Sequence, residues 1–191
     1  MDELQSLKRL RFFTGQVLTA DSLELEQQYF REKLKRHNRT LHGFGIVSGL
    51  KVSVQLDQII VEPGLALDCE GNELIVSGAQ TVGVPPATDG LRAAYVCIRY
   101  VEAETDEIPA VPNGPVPNGP AITSTENASE PSTITEGVAI EVAHDNCNRS
   151  HRHMRARWLA CGKSHALTIA KLKHTAQGWR VERGYRPPMI K

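Results

Sequence analysis

Residues 38–52 read NRTLHGFGIVSGLKV, and within this stretch the spacing of apolar residues changes from that of a helix to that of a strand. Upstream, residues 21–41 read DSLELEQQYFREKLKRHNRTL. Asp21 and Glu24 stand three positions apart, the spacing at which an N-cap side chain and an N3 carboxylate satisfy each other's free amides. A helix is therefore predicted from Asp21. Leu23, Phe30, Leu34 and Leu41 recur at sevens and fours, with Tyr29 beside them, while Glu26, Arg31, Glu32, Lys33, Lys35 and Arg36 fill the other faces. The result is a charged helix of about 30 Å with one narrow apolar stripe, too thin to organise a core and suited to lying across a sheet or along another subunit. Gly43 is the natural C-cap, because it accepts the positive φ that a side chain resists. His42, with no acid or nucleophile near it in sequence, reads as a capping or packing residue rather than a general base.

Downstream the period shortens. IVSGLKVSVQL, QIIVEPGLALD and NELIVSG are β-branched runs separated by LDQ, by Pro63-Gly64 and by Glu70-Gly71-Asn72. Further strands are predicted at 92–104, 135–143, 166–173 and 179–183, most simply as an antiparallel meander. The turn signal at Gly71 gives Asp68 and Glu70 the role of turn acids. Between 104 and 131 two near-tandem VPNGP units and few apolar residues predict a long surface loop, unstructured until a partner orders it. The fold class is α+β, mainly β. An N-terminal arm and docking helix occupy 1–44, and a small antiparallel sandwich or barrel-like domain occupies 45–191.

The 191 residues carry 22 Lys and Arg against 22 Asp and Glu, so overall charge steers the chain toward neither nucleic acid nor an anionic membrane. No run of about 18 apolar residues offers a membrane span, and the acidic start of MDELQSLKRLRFF is not a signal peptide. A cytoplasmic protein with reduced cysteines is expected. Segment 144–165 concentrates Cys147, His151, Cys161 and His165, all residue types that bind zinc. Neither Cys-x3-His pair is a CxxC knuckle, and Arg149, Arg152, Arg155 and Arg157 repel a cation, so a solvated basic loop is favoured over a structural zinc and no cofactor is expected. Trp158 stands alone among those arginines, without the aromatic interleaving of a nucleic-acid patch. GxSxG, HExxH and phosphate-binding loops are all absent from the sequence. Catalysis is not expected.

Residues 12–52, with TGQVLTAD and NRTLHGFGIVSGL as their most specific parts, then VEPGLALDCEGNELIV and the later PSTITEG, resemble a group of proteins encoded with phage-tail-like contractile injection systems. The resemblance is close over 11–77 and loose over 92–140. Beyond Glu141 the chain departs from the group's pattern, with Cys147 and Cys161 far apart. The N-terminal motif also looks like the attachment modules of phage baseplates and tail fibres. What the resemblance implies is a non-catalytic structural subunit at the baseplate or fibre-attachment level, present in several copies per particle and docked to other baseplate or fibre subunits. The interface would be formed by Leu23, Phe30, Leu34 and Leu41, with Gly43 and Gly45 setting the angle between helix and sheet. The alternatives are a stand-alone carbohydrate- or peptide-binding β domain and a hydrolase with a dispersed active site.

Overall fold

The computed structural model describes residues 6–86, 91–109, 129–148 and 165–190. Among the described residues there is one α-helix, α1, which runs Ala20–His37. Thr19, in extended backbone, is the N-cap, and its hydroxyl accepts a hydrogen bond from the Ser22 amide at 3.3 Å. The cap is thus two residues earlier than the expected Asp21. Asp21 instead sits in the first turn, where its carboxylate faces the positive end of the helix dipole. The helix widens into a π-turn, Asn38–His42, closed by the Gly43 amide donating to the Asn38 carbonyl at 3.0 Å. Gly43 ends it as predicted, at φ 81° and ψ −148°, a conformation in practice reserved for glycine.

The strands are β1 (Gly45–Gly49), β2 (Val52–Gln55), β3 (Gln58–Val61), β4 (Gly64–Leu67), β5 (Glu73–Val76), β6 (Gln80–Gly83), β7 (Ala93–Pro109), β8 (Ser129–Ala143), β9 (Leu167–Thr175) and β10 (Gly178–Val181). The fold is therefore mainly β after an N-terminal helix, as the patterning predicts. Three sheets form, ordered β1-β4-β5, β2-β3-β6 and β10-β9-β7-β8. The simple meander does not hold, since β1 pairs with β4 in antiparallel register rather than with β2. IVSGLKVSVQL breaks in two at Gly49 (φ 65°) and Leu50 (φ 54°), which carries the chain from the first sheet to the second. Close backbone approach fixes this corner. A Cβ on Gly49 would stand 2.2 Å from the Pro63 carbonyl oxygen, and one on Gly64 would stand 2.4 Å from the Leu50 nitrogen. Strands β2 and β3 are joined through Leu56 and Asp57, both at positive φ (47° and 60°), the geometry of a tight two-residue hairpin. β6 was not predicted, because QTVG is too short and too polar to stand out from its flanks.

One core serves all three sheets. Ile46, Ile59, Val61, Ala66, Leu74, Val76, Val96, Ile98, Leu167 and Leu172 cluster there, closed by Trp179, whose indole donates to the Pro85 carbonyl at 3.0 Å.

Val101–Gly137 form a compact unit of their own. Its described residues are the continuations of β7 and β8. The Thr105 and Thr135 hydroxyls lie 3.0 Å apart, Ser132 donates to the Asp106 carbonyl at 2.5 Å, and Ser129 donates to the Glu107 carboxylate at 2.7 Å. Residues 104–109 and 129–131, assigned to the loop on composition, are strand, because alternating Thr, Ile and Glu suit a solvated ribbon. Both VPNGP units lie outside the described residues.

Candidate functional site

Leu23, Phe30, Leu34 and Leu41 fall on one face at helical spacing, and their exposures are 52 %, 58 %, 52 % and 62 %. No residue of α1 is buried. The stripe is thus not taken up by the core of this chain, and a Phe or Leu removed from water contributes about 1.5 to 3 kcal/mol. Tyr29 packs edge-on against Phe30 at 5.2 Å, and Lys33 lies 5.6 Å from the Tyr29 ring centre. Phe12, Phe13, Val17 and Leu18, in the segment leading into the helix, are exposed as well.

Polar contacts tie down the C-terminal end of the helix. The Asn38 side chain, 6 % exposed, donates to the Gly71 carbonyl at 3.0 Å. Gly71 (φ 90°) lies so close to α1 that a Cβ there would be 2.2 Å from the Lys35 carbonyl oxygen. Asp68, fully buried, builds the turn that presents Gly71: its carboxylate accepts from the amides of Glu70 and Asn72, both at 2.9 Å, and from the Asn72 side chain at 2.7 Å. Asp68 is a turn acid as expected. The NRTLH and LDCEGN segments, far apart in sequence, are therefore two halves of one joint.

Gly45 belongs to a second contact. At φ 143° its amide neighbour Ile46 donates to the Pro188 carbonyl at 2.9 Å, Ile190 donates back to Ile46 at 2.9 Å, and a Cβ at Gly45 would stand 2.8 Å from Pro188. Gly43 differs, since nothing lies within 4 Å of a Cβ placed there. His42 is exposed and pairs with His37, ring nitrogens 3.3 Å apart.

The expectation of reduced thiols is overturned, because Cys97 and Cys147 form a disulfide and Cys69 is likewise disulfide-bonded. As a metal ligand Cys147 is thereby removed, since its sulfur has no thiolate to offer. Residues 146 and 148, on either side of it, explain its placement. The Thr168 amide donates to the Asn148 side chain and the Thr168 hydroxyl to the Asn146 side chain, each at 3.0 Å, while the Thr168 hydroxyl lies 3.4 Å from the Cys97 sulfur. Burial pushes the nearby Tyr185 phenol above its ordinary value, against hydrogen bonds from Asn146, Asn148 and Thr168. Of the other metal candidates, His151 and Cys161 lie outside the described residues. His165 makes contacts of its own, at 3.3 Å to the Cys69 sulfur and 2.9 Å to the Glu70 carboxylate. Sulfur, imidazole and carboxylate in that order resemble a nucleophile with its base, but a disulfide sulfur cannot attack as a thiolate. Sequence reasoning missed the anchoring role of Asn38 and this disulfide network. Only the doubled Asn around Cys147 hinted at the last.

No family model and no curated protein matches the chain. Solved structures do. The fold is similar to a chain of the type VI secretion system TssK-TssF-TssG baseplate subcomplex, with a TM-score of 0.53 and 11 % identity over 96 % of this chain and 62 % of that one. It is also similar to a chain of the baseplate complex from the type VI secretion system, with a TM-score of 0.57 and 12 % identity over 97 % of this chain and 42 % of that one. A crystal structure of TssK matches at a TM-score of 0.51 and 12 % identity, over 96 % and 42 % of the two chains. This chain thus spans less than two thirds of the length of the structures it matches, and what it shares with them is a fold found in type VI secretion baseplate proteins.

Proposed function

We propose that this chain is a structural subunit of the baseplate of a contractile injection system, acting by docking rather than by catalysis. The observation that carries the reading is fold similarity along nearly the whole chain to baseplate proteins of one contractile machine. The exposed stripe of α1 supports it, since an apolar face that the chain's own core leaves in water is available to another subunit. Within the particle, we assign the chain to the baseplate or fibre-attachment level, in several copies, with the stripe as its contact to neighbouring baseplate or fibre subunits and assembly in the cytoplasm. Both the sequence resemblance and the fold similarity point to a baseplate, though they rest on different features. The test is purification of particles from cells that make a tagged form of the full chain. Contractile particles carrying the tag at the baseplate end support the assignment. A tagged chain found free of any particle in cells that make them, or bound instead to a carbohydrate, contradicts it.

A further inference from the structure

The unit Val101–Gly137 holds Glu102, Glu104, Asp106, Glu107, Glu126, Glu130 and Glu136 and not one Lys or Arg. All 22 Lys and Arg of a formally neutral chain, with the other 15 Asp and Glu, are left to the remainder. So many carboxylates within one short unit repel one another. A second, independent property of the ribbon is its open backbone. β9 pairs with β7 only from Ala93 to Ile98, so among the described strands the ribbon from Val101 onward has nothing on either edge, and Ile108 and Ile134 are exposed on it. A two-stranded ribbon is marginal in water and invites a further strand. In β7 and β8 before the ribbon, the Arg99 guanidinium donates twice to Glu141 at 2.9 and 3.1 Å, and Cys97 is joined by a disulfide to Cys147, just beyond β8.

The matching segment is in the same sequence. Residues 6–19 read SLKRLRFFTGQVLT, with three cations, no acid and no helix or strand, and Lys8, Arg9, Arg11, Phe12, Phe13, Val17 and Leu18 are all exposed. We propose that the acidic ribbon of one copy receives the extended basic and apolar arm, residues 6–19, of a second copy of this chain. The arm would add along the ribbon's open edge, Lys8, Arg9 and Arg11 facing the carboxylates and the phenylalanines facing Ile108 and Ile134. This contact does not involve the α1 stripe, so it stands or falls apart from the baseplate assignment.

Sedimentation of the full, oxidised chain across a range of concentrations and at low and high salt tests it. The expected result is reversible self-association that salt weakens. Reversing the ribbon (Glu104→Lys, Asp106→Lys, Glu107→Lys, Glu130→Lys, Glu136→Lys, which leaves two acids against five cations) or the arm (Lys8→Glu, Arg9→Glu, Arg11→Glu) should each weaken association by about tenfold or more. Mixing the two reversed variants should restore it, because each then offers the other a complementary pair. Thermal melting of each variant confirms that both still fold. A chain that stays monomeric at every concentration, an association that neither reversal changes, or reversed variants that fail to associate with each other would overturn the proposal.

Discussion

Asn38 donates from a site 6 % exposed to a backbone carbonyl, and a buried polar group of this kind is more costly to orphan than to keep. Replacing it by Leu removes the donor and leaves the Gly71 carbonyl without its partner. Asn38→Leu is expected to destabilise the isolated chain by about 1 to 3 kcal/mol, read as a fall in Tm. Among the glycines the structure separates two kinds of constraint. Gly43→Ala meets open space and bears only the conformational penalty of its φ, of order 1 to 3 kcal/mol. Gly71→Ala adds to a similar φ a collision with the Lys35 carbonyl, and since backbone cannot swing aside as a side chain can, it should lower Tm further than Gly43→Ala. Equal losses at the two positions would show that the helix does not bear on the turn at Gly71.

At the scale of elements, the Cys97–Cys147 link closes a loop with a sequence separation of 50 that includes the whole of the acidic ribbon. Chain-entropy reasoning puts the stabilisation from such a loop at about 4 kcal/mol. Cys97→Ala with Cys147→Ala is expected to lower Tm by several degrees, and a thiol count on the unfolded, unreduced wild-type chain should find neither sulfur free. Glutathione keeps cytosolic thiols reduced, so a count on freshly lysed cells also tests the proposed cytoplasmic assembly. Much at this scale was legible in the sequence. Gly43 as the helix end, Pro63-Gly64 as a break and the β-branched runs at 58–61 and 73–76 are local signals, set by residues within a turn of one another. What escaped were pairings over long separations. β1 joins β4 because Gly49 and Gly64 let two backbones approach, and no periodicity encodes that partner choice. The ribbon was hidden because its carboxylates and prolines have the composition of a loop. The apolar stripe was visible, whereas the contact between Asn38 and Gly71 was not, since the two meet only after the sheets have folded.

Across the molecule, two groups among the described residues, Lys171 and Tyr185, hold their protons more tightly in the folded chain. Lys171 is raised above its ordinary value by its hydrogen bond and charge pairing with Glu182, whose carboxylate is 2.7 Å away. Tyr185 is raised by burial. In both, the folded chain holds its proton to higher pH than the unfolded one, so stability is full below the unfolded values of about 10 to 10.5 and falls as pH rises through the raised folded values. These two groups should therefore make Tm decline above about pH 10, more gently in Tyr185→Phe, which keeps the ring and removes one titrating group. A decline that begins well below that range would point to groups other than these two.

In the proposed role, α1 joins this chain to an assembly rather than to its own core. That role is tested most directly by the affinity of the full chain for the baseplate assembly purified without it, measured beside the variant carrying both Phe30→Asp and Leu34→Asp. Two side chains worth about 1.5 to 3 kcal/mol each predict a loss on the order of a hundredfold or more, with Tm of the isolated variant unchanged because neither residue is buried in it. Undiminished binding would contradict the docking role, and a variant that cannot fold would show the stripe to be part of the chain's own core.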